Sequence, residues 1–378
     1  MLFFLLGVSG IIYIKTAPYN HSLSSLIGIW EGFYEINPGL VDSHFVIYKS
    51  GGYDGQFFYL LAKDLFHEHN WSLIVDSFYF RYHRIGLSFV TGILSYTIGS
   101  EHYPIITLIV LLGTFAASVH CIFQLLPKES KWLTMFYLLS PYSLNSNLLL
   151  VADSFFVSLA IISYYFYAQK RFFFSFLFFL FTVFTRELGV LFLAPIVLQA
   201  FLKKDWKQVF LFSLPGVLFV SFLFYGWLHT PNHLGTNPLS FKDMTDGPFF
   251  GFVKSFFDDD KFQFKLKEFP KLLFLVSFLS TLAICFTAIR NSFDQNINLI
   301  IPIVGSLLVI AIAEQGYWRS FDNLSRMFTL ILPFTLLLKD VTKKLSFKIF
   351  LGTSLLLFVF LLIRILFITP SKEYFLAL

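Results

Sequence analysis

Residues 104–126, PIITLIVLLGTFAASVHCIFQLL, contain no Asp, Glu, Lys or Arg. At about 1.5 Å of rise per residue, such a run makes a helix long enough for the ~30 Å hydrocarbon core of a bilayer. Comparable blocks recur at 149–169, 207–228, 271–290, 296–315 and 346–368. Weaker ones, short or broken by Pro and polar residues, lie at 131–148, 171–185, 188–202 and 324–339. Backbone in lipid must satisfy its own hydrogen bonds, so repeated blocks of this kind fold as packed helices. The expected class is an all-α polytopic membrane protein, with 1–378 forming a single transmembrane domain. Composition agrees. The chain is 56% hydrophobic and only 13% charged, and no soluble core of 378 residues needs 53 phenylalanines.

The opening MLFFLLGVSGIIYIK lacks a basic leader and an A-x-A site, so it reads as an uncleaved first span. Its apolar part covers only about 21 Å, less than the core thickness. Cys121 and Cys285 each sit inside an apolar block and read as small buried hydrophobes, with no disulfide framework.

The net charge of +5 points to no nucleic-acid partner. Its distribution speaks to orientation instead. The basic loops are 127–131, 169–171, 203–207, Arg290 and 339–344. With single crossings alternating from residue 104, all of them fall on one side, which is assigned to the cytoplasm. The other side then carries 16–103, the turn near Asp153, the break at 185–189, the loop 229–270 and 314–326. By this parity the Ser/Thr/Gly-rich segment 84–100 is not a full crossing, and an interfacial or half-inserted helix is expected there. The count becomes about eleven spans with the C-terminus outside. The two extramembrane pieces are a first external loop, 16–103, with interfacial helices, and a second, 229–270. Aromatic stretches such as 26–37 and 249–257 suit either a membrane surface or simple loop packing.

Charges at membrane depth cost about 2.5–3.5 kcal/mol each on insertion scales, so they are usually paired or line a wet cavity. The parity argument puts Asp54, Arg81, His83, Arg84, Asp153, Arg186, Glu187, Glu314, Arg319, Asp322 and Arg326 at one level. Plain structural roles stand beside functional ones. Arg186–Glu187 fits a snorkelling pair at a helix end, and Asp153 fits a cap for the helix that begins at Ser154. Arg319, Arg326, Arg81 and Arg84 fit headgroup anchors. The DDDK run at 258–261 reads as a solvated loop. No H-x-x-x-H or E-x-x-H pair falls on a span, which disfavours a haem, zinc or di-iron bundle. No cofactor is expected; a divalent metal, with the DDDK run as its candidate site, is the unsupported alternative. Asp54 resists a plain role. Gly51 and Gly52 allow a tight turn, Gly55 leaves space beside the carboxylate, and a helix follows. An ionised carboxylate at the boundary can accept a proton from an attacking hydroxyl, and nearby arginines can hold a phosphate.

The segments GGYDGQFFYLLAKDLF, FRYHRIGLSFV, SPYSLNSNLLLVADSFFVSLAIISYY, LFFLFTVFTRELGVLFL and GYWRSFDNLSRMF occur in this order. Together they resemble bacterial membrane proteins of cell-surface glycopolymer formation, with their Y-D-G-Q-F-Y-Y signature and T-R-E motif. More distantly they resemble the GPI mannosyltransferases and the GT-C glycosyltransferase superfamily. The resemblance covers most of 45–330. It implies a polyprenyl-phosphate sugar as donor, a glycan or lipid-linked acceptor, and inversion at the sugar. It also implies a site on the outer face of a bacterial inner membrane. It gives catalytic roles to Asp54 and Asp153, and donor or phosphate binding to Arg186, Glu187, Arg319 and Arg326. Substrate positioning falls to Gln56, Tyr59, Arg81, His83 and Arg84. A flippase for a lipid-linked sugar and a noncatalytic scaffold for polymer assembly are the competing readings.

Overall fold

The structure is a computed structural model that describes residues 2–65, 81–229, 244–258, 261–262, 268–368 and 371–378. Parts of both expected external loops, and the centre of the DDDK run, lie outside the described residues. The described residues are predominantly helical, with one three-stranded and one two-stranded sheet of short strands. Its principal helices are α1 (Leu2–Thr16), α2 (Gly55–Asp64), α3 (Gly86–Ile98), α4 (Tyr103–Leu125), α5 (Pro141–Leu148), α6 (Ala152–Ala168) and α7 (Phe172–Thr185). They continue with α8 (Val190–Leu202), α9 (Trp206–His229), α10 (Phe269–Ala311), α11 (Phe321–Phe328), α12 (Ile331–Leu336) and α13 (Lys344–Ile363).

Among the described residues, four helical stretches are long and apolar enough to cross a membrane: Ser100–Leu125, Trp206–Leu228, Phe269–Ala311 and Lys344–Phe367. Phe269–Ala311 is not one rod. Ser292 breaks it with φ −162° and ψ 42°. The Phe249 ring packs on Phe278 with centroids 5.1 Å apart, and its amide donates to the Ala311 carbonyl at 2.7 Å. A straight helix would separate residues 278 and 311 by about 50 Å at 1.5 Å per residue, so the chain reverses at Ser292. The two arms match the separate blocks at 271–290 and 296–315.

Hydrogen bonds and ring contacts gather the basic loops at one end. Lys339 Nζ donates to Ser130 Oγ, Asn291 to the Val341 carbonyl, and Gln199 to the Asp294 carbonyl. Phe201 meets Trp206, and Tyr167 meets Phe172 and Phe212. At the other end the termini of α1, α2, α6, α7, α11 and α13 meet around the charged residues. There the C-terminal tail joins the first loop in a three-stranded sheet. Strand β1 (Ile29–Trp30) runs parallel to β2 (Val46–Tyr48), which pairs antiparallel with β3 (Tyr374–Leu376).

Helix α3 has 13 residues, about 20 Å at 1.5 Å each, too short for a ~30 Å core. It lies alongside α2: Ser88 Oγ donates to the Phe58 carbonyl, and Gly92 packs on Ala62. Its outer face exposes Phe89, Ile93 and Tyr96, spaced i, i+4, i+7, while Ser88, Thr91, Gly92 and Ser95 are buried.

Candidate functional site

The YDG turn is set by close backbone packing. Gly51 and Gly28 have φ of +58° and +74°, in the left-handed region that glycine enters without strain. A Cβ on Gly55 would stand 2.5 Å from the Ile27 carbonyl oxygen and 2.8 Å from that of Leu149. Glycine is therefore required for α2 to begin against the turn that precedes α6. On that side Ser140 caps α5, accepting from the Ser143 amide at 3.2 Å, with Pro141 at the first helical position. Leu150, fully buried with φ +48°, then turns the chain into α6. For a residue other than glycine this conformation costs roughly 1–2 kcal/mol. Ser146 spans the turn, accepting from the Ser154 amide at 2.9 Å and donating to the Val151 carbonyl at 3.1 Å.

This packing brings Asp54 and Asp153 to either side of one guanidinium. Arg326 Nη1 donates to Asp54 Oδ2 at 2.5 Å, and its Nε donates to Asp153 Oδ2 at 2.7 Å. Arg186 Nη1 lies 2.8 Å from Asp153 Oδ1, and Arg81 Nη2 lies 3.3 Å from Asp54 Oδ1. Beside this chain of pairs, Glu187 accepts from Arg84 Nε at 3.0 Å and Nη2 at 2.5 Å, and lies 3.4 Å from His83 Nε2. The Arg84 fork fixes the segment from which Arg81 reaches Asp54.

The two aspartates are not equivalent. The Asp54 side chain is 25% exposed and that of Asp153 is 2% exposed. Asp153 is locked between two arginines and holds them in place. It does not cap α6; the Ser154 amide is met instead by Ser146 of α5. Asp54 precedes α2, but its side chain makes no capping bond, because two guanidiniums attract it more strongly than neutral amides do. Burial pushes the Asp54 carboxyl up, but Arg326 and Arg81 outweigh burial and hold it well below the usual carboxylate range.

Several expected site residues do other work. Gln56 is buried, and its Oε1 accepts from the Trp30 amide at 3.0 Å, tying β1 to α2. Tyr59 is fully buried and donates to Asp42 Oδ2 at 2.7 Å. Asp42 in turn binds Lys63 and Ser100, each at 2.7 Å, so this cluster pins the first loop. Arg319 donates to the Phe257 carbonyl at 3.1 Å and pairs with neither Asp54 nor Asp153.

Asp322 lies one turn before Arg326 on the same face of α11. It accepts both arms of the Arg364 fork, Nη2 at 2.7 Å, and Asn145 Nδ2 at 3.0 Å. Next to it a cavity of about 230 Å³ opens beside Tyr53, lined also by Lys15, Arg364 and Lys372. Sequence reasoning passed over these three cations. Arg364 carried a signal, a lone arginine inside an apolar block, and it begins a π-helical turn, Arg364–Ile368. Lys15 and Lys372 carried none. No family model, curated protein or solved structure matches the chain.

Proposed function

We propose that this chain is a membrane glycosyltransferase that moves a sugar from a polyprenyl-phosphate donor to a glycan or lipid-linked acceptor. The reading is carried by one observation: a part-exposed carboxylate, Asp54, faces Arg81 and Arg326, and the buried Asp153 anchors Arg326 from its other side. The order of the YDG, TRE and GYWRSFDNLSR segments supports it through their resemblance to glycopolymer-formation proteins. Eleven spans, an outward-facing site and residence in a bacterial inner membrane belong to the same proposal, because the basic loops gather at the end away from Asp54.

In the reaction, the acceptor oxygen forms a bond to the sugar's anomeric carbon. The bond from that carbon to the phosphate oxygen breaks, and its electron pair leaves with the polyprenyl phosphate. The acceptor's proton passes to Asp54. Attack opposite the leaving group inverts the anomeric carbon. A carboxylate held by two arginines is a poor base, so Asp54 needs release before it can act. The donor's phosphate provides it. A phosphate takes guanidinium hydrogen bonds in bidentate fashion, and it draws Arg326 and Arg81 off Asp54. The base then emerges only with donor in place. The same arginines stabilise charge developing on the leaving phosphate. Asp153, Arg186 and Glu187 act through Arg326 and the 81–84 segment, as positioning residues.

The test is Asp54→Asn in purified protein supplied with a panel of radiolabelled polyprenyl-phosphate sugars, scoring release of polyprenyl phosphate. Wild type releases it, and the variant loses turnover by at least about a hundredfold, the lower range for a general base, while still binding donor. Turnover unchanged in the variant, or none in wild type with any sugar of the panel, sinks the proposal. A flippase tolerates the substitution.

A further inference from the structure

We infer that the cavity between the end of α1, the π-helical turn after α13 and the C-terminal tail binds a phosphate group. Its three cations are none of those in the Asp54–Arg326–Asp153 chain, which adjoins it at Tyr53, and it stands whether or not the transfer chemistry is right. Three cations, Lys15, Arg364 and Lys372, line it against a single carboxylate, Asp322. That carboxylate is already taken by Arg364 and Asn145. The two ammonium groups meet only neutral oxygens in hydrogen bonds. Lys15 Nζ donates to the Leu148 carbonyl and Lys372 Nζ to the Gly51 carbonyl, each at 2.7 Å. Each ammonium has three donors, so both retain hydrogens for another acceptor. Tyr53 supplies a further donor: its buried hydroxyl sits beside Arg326, itself a donor, and gives its own hydrogen to no partner among the described residues.

A partly buried surplus of positive charge, with an unused hydroxyl beside it, is unfavourable while empty and suits an oxyanion. The volume, about 230 Å³, compares with ~30 Å³ for a water, so a tetrahedral phosphate fits together with a small substituent. Carboxylate ligands are less well suited. They offer two oxygens in one plane, whereas the donors here come from α1, the first loop, the π-helical turn after α13 and the tail. The phosphate is either a free anion or the head of a lipid phosphate.

Binding is measured on the full chain in nanodiscs of zwitterionic lipid. One arm titrates radiolabelled inorganic phosphate. The other follows capture of a polyprenyl phosphate incorporated in the disc. Binding in the first arm alone identifies a soluble source, binding in the second alone identifies a lipid headgroup, and either supports the site. Lys15→Gln and Lys372→Gln each remove one charged hydrogen bond and weaken binding about tenfold. Lys49→Gln, which removes an exposed pair with Glu373, leaves it unchanged. Lys372 is exposed, so its variant folds even if that of Lys15 does not. The inference is overturned if neither probe binds wild type, or if Lys372→Gln binds as wild type does. Phosphate binding without any sugar transfer overturns the transferase reading alone. Asp54-dependent transfer without binding that responds to Lys372 overturns the cavity alone.

Discussion

A carboxylate held between Arg326 and Arg81 keeps its charge far into acid, and this governs what Asp54 contributes to stability and, in the proposed transfer, when it can act. Its carboxyl titrates well below the usual range in the folded chain. The stabilisation from these pairs is therefore complete above the ordinary carboxylate pKa of about 3.9, and is lost only as pH falls through the depressed folded value. Between about pH 5 and 8 this group leaves stability flat. The proposed transfer is expected to depend on pH differently. The pH profile of kcat/KM reports the free enzyme, and that of kcat reports the donor complex. With the arginines drawn to phosphate, the Asp54 carboxyl rises toward its ordinary range. The acid limb of kcat then lies at higher pH than the acid limb of kcat/KM. Steady-state rates across an acid pH series check this. Coincident limbs, or a kcat limb at the lower pH, contradict the release of Asp54 by donor. Asp54 was legible in the sequence, because a glycine-flanked aspartate before an apolar helix has few structural uses. Asp153 was legible as an unusual residue but not as a buried anchor, since that depends on Arg186 and Arg326 arriving from distant helices.

At the scale of elements, the site depends on how closely α2 approaches the α5–α6 turn. Gly55 permits that approach. In Gly55→Ala the added Cβ meets two backbone carbonyls at 2.5 and 2.8 Å, and neither is the end of a flexible side chain. Overpacking of this kind costs about 1–3 kcal/mol. The start of α2 shifts, and Asp54 moves off the Arg326 fork. The expected result is a lower midpoint in thermal unfolding of the detergent-solubilised protein, together with loss of donor-dependent turnover. Wild-type values of both would show that the contact is not limiting. The short or broken elements were legible as breaks, at 131–148, 185–189 and 324–339. Their cause was not. The turn at Leu150 rests on Ser146 bridging across it, a pairing that only the folded chain displays.

For the whole molecule, the arrangement requires the charged cluster and the basic loops to lie at opposite ends of the bundle. Cysteines introduced by Lys49→Cys and Lys203→Cys test this, since both positions are solvent-exposed and the native Cys121 and Cys285 are buried. In intact cells a membrane-impermeant maleimide labels residue 49 and not residue 203, and permeabilisation exposes residue 203. Labelling of both in intact cells, or of neither, removes the topological basis of the proposed site. The C-terminal tail belongs with residue 49, because β3 completes the sheet begun by β1 and β2.

Apolar block length determined that this chain is helical and built for a bilayer, because continuous apolar runs of about 20 residues satisfy their backbone in lipid as helices, whereas barrel strands are shorter and alternate. The charge pattern also separated a basic end from a mixed one. The reversal within α10 was also legible, as separate apolar blocks at 271–290 and 296–315 with Arg290 closing the first. Tertiary structure decided which charges pair and that Lys15, Arg364 and Lys372 surround one cavity. Those outcomes depend on long-range contacts: Arg326 reaches Asp54 across 272 positions, and Lys372 reaches Gly51 across 321. Hydrophobic periodicity fixes which face of a helix is buried, but not which neighbour covers it or at what height.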